Sequence, residues 1–324
     1  MKRIAAVALV VLALAGCSGA GHAPGAAEPA TAPRMLGPAA GQSVLVGDGP
    51  EGVVYDRSTD TVAVAVRNPD RLLLLSPDTL VVRRTVDLPG SVRHLQLAGP
   101  GGPVLVPVES VNQLLEVSLT GGPTRTTAVL RQPHDASAAA VGDVVVGDEF
   151  GKSISIIRDG RVRATISGLK QPGGVIGDQS RALVVDVGAF TISSYDLTTL
   201  KRTAVAAAGD GPTHDQLVDP NRVAVVDTRG NALLLFTIAP LRMAGRLALP
   251  GTPYGMAMDA TTGTLWVTLT ARNQVVGIDV RTDRPRVIAS YPTVRQPNSV
   301  AVSRGSDVLW ITGTAVGTVQ RISR

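Results

Sequence analysis

The chain of 324 residues contains a single cysteine, Cys17, and only 3% aromatic residues. One cysteine excludes a disulfide framework and any zinc site built from several cysteines. So few aromatic side chains exclude a platform for stacking bases, and the basic residues are scattered rather than clustered, so we expect no nucleic-acid partner. After Cys17 there is no run of about 18 apolar residues, so we predict no membrane-spanning helix in the body of the chain.

The composition that remains indicates a globular protein in which β-structure is favoured. Hydrophobic residues make up 44% of the chain and charged residues 18%, which is too apolar for a disordered protein. The formal net charge is +5. Lys2 and Arg3 contribute to it, and without them 29 basic residues face 26 acidic ones.

The first residues form a charged and then apolar leader. Residues 1–17 read MKRIAAVALVVLALAGC, and the apolar stretch is too short to span a bilayer. The ending Leu-Ala-Gly-Cys resembles a bacterial lipobox, which implies a signal peptide over residues 1–16 and a diacylglycerol linked to Cys17. The alternative is an ordinary signal peptide with an incidental cysteine.

Residues 17–42 are mostly Ala, Gly and Pro. They are predicted to be the lipidated cysteine and a flexible tether, because such a composition cannot bury a core. The folded domain is then predicted over residues 43–324, anchored by lipid at the outer face of the cell membrane. We expect a monomer.

The body of the chain repeats itself with a period of about 41 residues. Each unit begins at an anchor residue that precedes a short apolar strand, and the seven anchors are Pro50, Val92, Pro133, Pro172, Pro212, Pro253 and Pro297. In the sixth unit the predicted strands are Tyr254–Met258, Thr264–Leu269, Gln274–Asp279 and Arg286–Tyr291. Four strands in about 40 residues is typical of a blade of a β-propeller.

The last unit contains only three predicted strands before Arg324. An open propeller would expose unpaired strand edges, so the missing outer strand has to come from elsewhere in the chain. The apolar segment Ser43–Gly47, just before the first anchor, is predicted to supply it. The fold class is therefore all-β, a seven-bladed propeller of four-stranded antiparallel blades closed by an N-terminal strand.

The repeat, with an anchor proline, an apolar strand and then [DS]-x-x-T, as at Asp196–Thr199 and Asp279–Thr282, resembles the YVTN-type propellers that include the YncE-like proteins. The lipobox and the Arg-rich composition resemble an actinobacterial secreted lipoprotein. This resemblance implies the fold and little about function, because the group contains binding proteins, parts of assemblies and some enzymes. The Trp-Asp signature of WD40 blades and the Trp-docking motif of quinone-cofactor propellers are absent from the sequence.

Residues just after each anchor are expected to ring one mouth of the central channel. All three histidines of the body lie at the first or second position after an anchor. The candidate ligand-binding residues at these two positions are Glu51, Arg93, His94, His134, Asp135, His214, Tyr254 and Asn298. Imidazoles beside carboxylates can bind a metal or transfer protons. The alternative is that a narrow, wet channel simply requires small or polar residues. Because His94 and His134 lie on neighbouring blades and His214 two blades further on, a tight three-histidine zinc site is not expected.

A second, acidic set lies at the ends of the second strands and consists of Glu109, Asp148, Glu149, Asp186 and Asp227. These carboxylates could bind a cation or select a polar ligand. The alternatives are that they are solvated residues of loops or that they make hydrogen bonds between blades. The segment Gly47–Gly52 matches G-x-G-x-x-G but contains Pro50 and opens a strand, whereas a dinucleotide site requires a helix. Without a recognisable nucleophile motif, no catalytic residue is assigned.

The sequence therefore favours a lipid-anchored, extracytoplasmic propeller that binds a small ligand or an envelope protein and performs no chemistry. One alternative is a lyase- or lactonase-type propeller enzyme that uses histidine and a divalent cation at the channel mouth. Another is a structural platform in an envelope complex. No cofactor is assigned, although a divalent cation is compatible with the histidines.

Overall fold

The computed structural model describes residues 25–324, which form seven four-stranded antiparallel sheets and confirm the predicted β-propeller. The signal peptide, Cys17 and His22 lie outside the described residues. The first blade consists of β2 (Val53–Asp56), β3 (Thr61–Val66), β4 (Arg71–Leu75) and β5 (Val82–Asp87), and the second of β6 (Gln96–Leu97), β7 (Val104–Val108), β8 (Gln113–Val117) and β9 (Arg125–Ala128). The third blade consists of β10 (Pro133–Ala138), β11 (Val144–Asp148), β12 (Ser153–Arg158) and β13 (Arg161–Ser167). The fourth consists of β14 (Pro172–Asp178), β15 (Arg181–Asp186), β16 (Thr191–Asp196) and β17 (Lys201–Ala207).

The last three blades follow the same order, except that the final outer strand is β1. They are β18 (Pro212–Asp219), β19 (Arg222–Asp227), β20 (Ala232–Ile238) and β21 (Leu241–Ala248); β22 (Pro253–Asp259), β23 (Thr264–Leu269), β24 (Gln274–Asp279) and β25 (Arg286–Pro292); and β26 (Pro297–Val302), β27 (Val308–Gly313), β28 (Thr318–Ser323) and β1 (Gln42–Leu45). Within residues 25–324, three single-turn 3₁₀ helices lie at Glu109–Val111, Thr270–Arg272 and Arg304–Ser306.

The burial of each strand follows from its place in the blade. The second strands are buried on both sides, as in β3, where all six residues are buried. The outer strands alternate between more and less exposed residues, as in β17 and β25. Apolar side chains of the second and third strands therefore fill the space between neighbouring blades, which is where the core lies.

Tight turns after the third strands are closed by the first residue of the [DS]-x-x-T motif. Oδ1 of Asp196 accepts hydrogen bonds from the backbone N–H groups of Thr198 and Thr199 at 3.0 and 2.6 Å. Oδ1 of Asp279 accepts one from Arg281 at 3.1 Å. These Asx turns reverse the chain toward the outer strand.

The ring is closed by β1, which pairs antiparallel with β28, with Gln42 opposite Arg321 and Leu45 opposite Thr318. The backbone N–H of Val46 extends this pairing by donating to Gly317 O at 2.9 Å. The predicted segment Ser43–Gly47 is thus the closing segment, with the strand itself beginning one residue earlier. The first part of the domain supplies the outer edge of the last blade.

The part of the predicted tether that the structure describes, residues 25–42, lies against the propeller. Ala27 and Ala32 are buried, and Ala40 exchanges hydrogen bonds with the last two blades through Pro292 O and the amide of Gln320. This segment therefore does not extend as a free spacer, because polar side chains of the propeller bind its backbone. Among residues 25–324, no helix has the length and apolar character needed to cross a bilayer.

Ring closure generates the first testable prediction. A chain starting at Pro50 lacks β1 and leaves β28 as an open edge, whereas a chain starting at Gly37 keeps it. We expect the shorter chain to melt earlier, by roughly 2–4 °C for each kcal/mol lost in a large domain, and to aggregate through the open edge. Differential scanning calorimetry of the two chains measures this, and equal melting temperatures would contradict the closing role of β1.

Candidate functional site

The candidate site lies where the inner strands begin, at one mouth of the channel. His134 and His214 are in the first residues of β10 and β18, and His94 lies two residues before β6. Each of the two strands has an irregularity in its pairing here, between Pro133 and Asp135 and between Pro212 and Asp215. Bulges of this kind redirect side chains, and here they accompany imidazoles that point toward the channel axis.

The three histidines of the propeller form one cluster. Nε2 of His94 lies 3.0 Å from Nε2 of His214, and the ring centroids of His94 and His134 are 4.5 Å apart. One ring nitrogen from each histidine lies within 4.8 Å of those of the other two. The expectation that His214 is too distant for a tight cluster is therefore wrong. Blades that are far apart around the ring face each other across a narrow channel.

The hydrogen-bond partners of His214 and His134 orient their rings. Nδ1 of His214 lies 3.1 Å from the carbonyl oxygen of Tyr254, which can only accept, so Nδ1 carries the proton and Nε2 is the accepting nitrogen that faces Nε2 of His94. Nδ1 of His134 donates to Oε1 of Glu109 at 2.9 Å and lies 3.3 Å from Oε2 of Glu149. In both histidines the hydrogen bond at Nδ1 fixes the ring, so Nε2 faces away from Glu109 in His134 and away from the Tyr254 carbonyl in His214.

Burial and charge give the three imidazoles different protonation states. Burial opposes a charge on His134, but hydrogen bonds and charges from Glu109 and Glu149 outweigh it and raise the pKa of His134 to about 10. Burial and the charge on His134 lower the pKa of His214 to about 3. Burial, followed by His214 and His134, also lowers the pKa of His94 well below its ordinary value. At neutral pH His94 and His214 are thus neutral, the form that binds metals, whereas His134 is charged and has to release the proton of its second ring nitrogen before that nitrogen can bind a metal ion.

A segment that we call the strap, residues 25–33, crosses this mouth. The propeller holds it through its backbone: Thr270 Oγ1 accepts from Ala30 N at 3.1 Å, Gln296 Oε1 accepts from Ala32 N at 2.8 Å, and Asn273 Nδ2 donates to Pro33 O at 2.9 Å. Under the strap remains a void of about 20 Å³, lined by residues that include Ala26, Ala27, Glu28, Arg93, His134, Thr213, His214 and Tyr254. One water molecule or one ion fills a space of this size.

Arg93 and Tyr254, two further predicted residues, border the same void. Arg93 pairs with Glu28 of the strap at 3.2 Å and with Glu109 at 3.7 Å. Burial opposes the charge of Arg93, but Glu109 and Glu28 more than compensate and raise its pKa. The Tyr254 ring packs edge-on against His214 at 4.4 Å between centroids, and burial raises the pKa of its phenol.

Glu51 and Asn298 belong to a separate polar pair on the side where the last blade meets the first. Asn298 Nδ2 donates to Oε1 of Glu51 at 3.1 Å, and Arg67 makes a short ion pair with the other carboxylate oxygen of Glu51. Glu51 and Asn298 are therefore hydrogen-bonded to each other across the junction between the first and last blades.

Four of the five members of the acidic set at the ends of the second strands form two groups. Glu109 and Glu149 hold His134. This role could have been found from their positions, because Glu109 follows the second strand of the preceding blade, β7, and Glu149 follows β11, the second strand of the blade that contains His134. Asp186 binds the backbone N–H groups of Lys170 and Gln171 at 2.7 and 2.9 Å. Asp227 does the same for Gly211 at 2.8 Å. The last two carboxylates thus fix loops that enter their blades.

Asp148, the remaining member of this acidic set, is fully buried. Its Oδ2 accepts hydrogen bonds from the hydroxyls of Ser153 and Ser155 at 3.2 and 2.7 Å. Burial outweighs these bonds and raises the pKa of Asp148 to about 6. This carboxyl group therefore belongs to the interior of its blade rather than to the mouth.

Further along the axis the channel widens into a cavity of about 330 Å³, which His94 and His214 also line. Asp135 lies in its wall and accepts from Gln96 Nε2 at 3.0 Å and from the N–H groups of Ala136 and Val175 at 2.9 and 3.1 Å. Burial raises the pKa of Asp135 to about 6 although these donors oppose the shift. Asp215 and Gln96 in this wall were not predicted. The signal for both is their position, because each lies one or two residues after a predicted histidine.

No protein-family model matches the sequence, and no curated protein matches it significantly. Among solved structures, a streptogramin B lyase is similar with a TM-score of 0.74 at 12% identity, covering 87% of this chain and 97% of that one. Virginiamycin B lyase from Staphylococcus aureus gives 0.73 at 14% identity, covering 87% and 98%. The WD40 repeats of RRP9 give 0.76 at 11% identity, covering 88% and 99%. At such identities the likeness shows the fold alone, a seven-bladed β-propeller that these neighbours use both as lyases and as WD40 repeats.

Proposed function

We propose that this protein is a lipid-anchored, extracytoplasmic binding module whose channel mouth holds a divalent transition-metal ion. The observation that carries the proposal is the cluster of His94, His134 and His214, with one ring nitrogen of each within 4.8 Å of the others. Imidazole is a preferred ligand of zinc, copper and nickel. Three protein nitrogens with one position left for water or a ligand is a common zinc coordination set.

The surroundings of the cluster support a metal more than a packing role. Metal-bound histidines usually donate their other N–H to a carboxylate or a backbone carbonyl, which fixes the ring. His134 has Glu109 in that position and His214 has Tyr254 O. Two nitrogens on one tetrahedral zinc ion lie about 3.3 Å apart, given bonds of about 2.0–2.1 Å. The His94–His214 separation of 3.0 Å therefore needs to open by only a few tenths of an ångström.

The strap restricts what the mouth can hold. The void beneath it is about 20 Å³, which suits a single ion and excludes an organic ligand on that side. A carboxylate-rich surrounding, with Glu109 and Glu149 against His134, offsets the positive charge of the ion. The site therefore favours a small cation over the larger polar ligand that the sequence alone left open.

Metal binding is tested by titrating the metal-free full-length protein with Zn²⁺ by calorimetry and with Co²⁺ by visible absorption. We expect one ion per chain, loss of binding in His94→Ala, His134→Ala and His214→Ala, and 10–100-fold weaker binding in Glu109→Gln, because that residue orients a ligand. His22→Ala is the matched control, since it removes the fourth histidine of the chain.

The control variant is expected to bind like the wild type. Wild-type protein that takes up no metal would contradict the proposal, and so would alanine variants that bind the ion as tightly as the wild type does.

A metal-dependent enzyme is the second candidate, favoured because three protein ligands would leave a coordination position for a substrate and because His94 and His214 also line the larger cavity. One similar structure is a catalytically inactive variant of virginiamycin B lyase with quinupristin. Incubating the zinc-loaded protein with quinupristin and following its mass and chromatographic retention separates the two candidates. The binding proposal predicts unchanged quinupristin, whereas turnover abolished by His134→Ala would establish the enzyme. The third candidate, a structural platform, has no specific observation in its favour.

Lipid anchoring through Cys17 has a geometric consequence. Gly25 is held at the mouth, where its carbonyl accepts from Arg229 Nη2 at 3.1 Å. Gly25 lies eight positions after Cys17 in the sequence, and eight steps of extended chain span at most roughly 26–29 Å. An anchored Cys17 therefore keeps the histidine mouth close to the bilayer, with the wider end of the channel facing away from it.

Replacing Cys17 by Ser tests the anchor. The wild type is expected in the detergent phase after Triton X-114 partitioning and the variant in the aqueous phase, because two or three acyl chains anchor a protein durably. A Ser18→Ala variant controls for a change beside the cysteine. If Cys17→Ser partitions like the wild type, the lipid anchor is wrong.

A further inference from the structure

Four loops beside His134 form one continuous surface on the mouth side of the second, third and fourth blades. They connect β7 to β8 (residues 109–112), β9 to β10 (129–132), β11 to β12 (149–152) and β13 to β14 (168–171). Each loop donates a backbone N–H group to the loop before it, with contacts of 2.9 Å from Gln132 to Oδ1 of Asn112, 2.9 Å from Gly151 to O of Arg131 and 3.2 Å from Leu169 to O of Lys152. The loops therefore have fixed positions relative to one another.

Three large apolar side chains are exposed on this surface, one on each of the first three loops. The exposed fractions are 36% for Val111, 45% for Leu130 and 44% for Phe150. The guanidinium of Arg131 lies 5.9 Å from the centroid of the Phe150 ring, which holds the ring at the surface. Single exposed apolar residues are ordinary on a protein, whereas several on neighbouring loops indicate a contact site.

The charged side chains of the same four loops are sorted by direction. The two carboxylates, Glu109 and Glu149, contact His134 and have side chains that are only 15% and 12% exposed. The cations, in contrast, are all exposed, and they are Arg131, Lys152 and Lys170. The surface is therefore positive as well as apolar, the combination that binds anionic lipid headgroups.

We infer that this surface, the mouth patch, docks on an anionic lipid bilayer. The mouth patch consists of Val111, Leu130, Arg131, Phe150, Lys152 and Lys170. Its apolar side chains enter the headgroup region and its cations lie against the headgroup phosphates. The inference rests on the proposed lipid anchor for its orientation, because the chain is held at the same mouth at Gly25 and reaches Cys17 within eight positions.

A bilayer fits the mouth patch better than a protein partner does. A stable protein interface involves about 20–30 residues on each side, whereas six side chains form the patch. A bilayer requires no matching shape, and an anchored protein already lies beside it. A contact of this size is then sufficient to fix the orientation of the propeller on the membrane.

The test uses a chain without the anchor, so that only the patch can bind. Residues 25–324 contain the strap and the complete closed ring, and a chain of residues 18–324 therefore keeps the fold and lacks Cys17. We expect it to float with vesicles of equal parts phosphatidylglycerol and phosphatidylcholine in 0.1 M NaCl. Binding should be at least tenfold weaker to pure phosphatidylcholine and should be lost in 1 M NaCl, where charges are screened beyond about 3 Å.

Matched variants separate the patch from net charge and general stickiness. Lys152→Gln and Lys170→Gln should each weaken binding about fivefold, whereas Lys201→Gln, the same change at the start of β17 and away from the mouth, should bind like the wild type. Phe150→Ser should weaken binding about tenfold. Ile288→Ser is its control, because that side chain is 47% exposed on the outer strand β25.

Tryptophan fluorescence reports whether the patch itself enters the headgroups. Trp266 and Trp310 are buried, so a change in emission on vesicles comes from an added tryptophan. We expect Phe150→Trp emission to shift to shorter wavelength on the anionic vesicles and to be quenched by brominated lipid. The emission of Ile288→Trp should not change.

The inference is overturned if the chain does not bind the anionic vesicles, if Lys201→Gln weakens binding as much as Lys152→Gln does, or if Phe150→Trp emission is unchanged on vesicles. Sedimentation velocity without vesicles tests a second copy as the occupant, and a dimer that Phe150→Ser dissociates would also overturn it. The proposed anchor and metal fail separately: Cys17→Ser tests the anchor in the full chain, and His214→Ala, in the fifth blade, should bind vesicles like the wild type while losing the metal.

Discussion

Closure of the ring by β1 is the constraint on which the rest of this structure depends. Once β1 pairs with β28, seven inner strands must surround one narrow axis, and side chains that are distant in sequence come into contact across it. His94 and His214 are 120 residues apart and share a 3.0 Å contact. Neither blade alone could hold the two imidazoles at this distance, so the site is a property of the closed ring.

The narrow channel also explains the electrostatics of the site. Three imidazoles crowded together cannot all be charged, and the structure resolves this by placing a proton on His134 between Glu109 and Glu149 while His94 and His214 stay neutral. The strap completes the enclosure from one side, with Glu28 paired to Arg93. The mouth is thus a small and enclosed space, and the cavity further along the axis is larger.

The repeat made most of the fold predictable. Each of the five anchor prolines from Pro133 to Pro297 is the first residue of an inner strand. Proline is tolerated at a strand's first residue because it cannot donate a hydrogen bond to the sheet. The first two positions after the anchors also predicted that the three histidines lie at one mouth of the channel. What the repeat could not give was distance: counting blades measures separation along the ring, whereas side chains meet across it, which is why the tight cluster was not expected. The strap was missed for another reason, since its Ala/Pro composition says nothing about the Gln296 and Asn273 side chains that bind its backbone.

The central claim is that the three histidines share one metal ion, and X-ray absorption at the zinc edge of the zinc-loaded protein tests it most directly. The account predicts three nitrogen ligands with imidazole scattering at about 2.0–2.1 Å, reduced when His214 is replaced by Ala. A first shell of oxygen atoms alone, or a spectrum unchanged by His214→Ala, would contradict it.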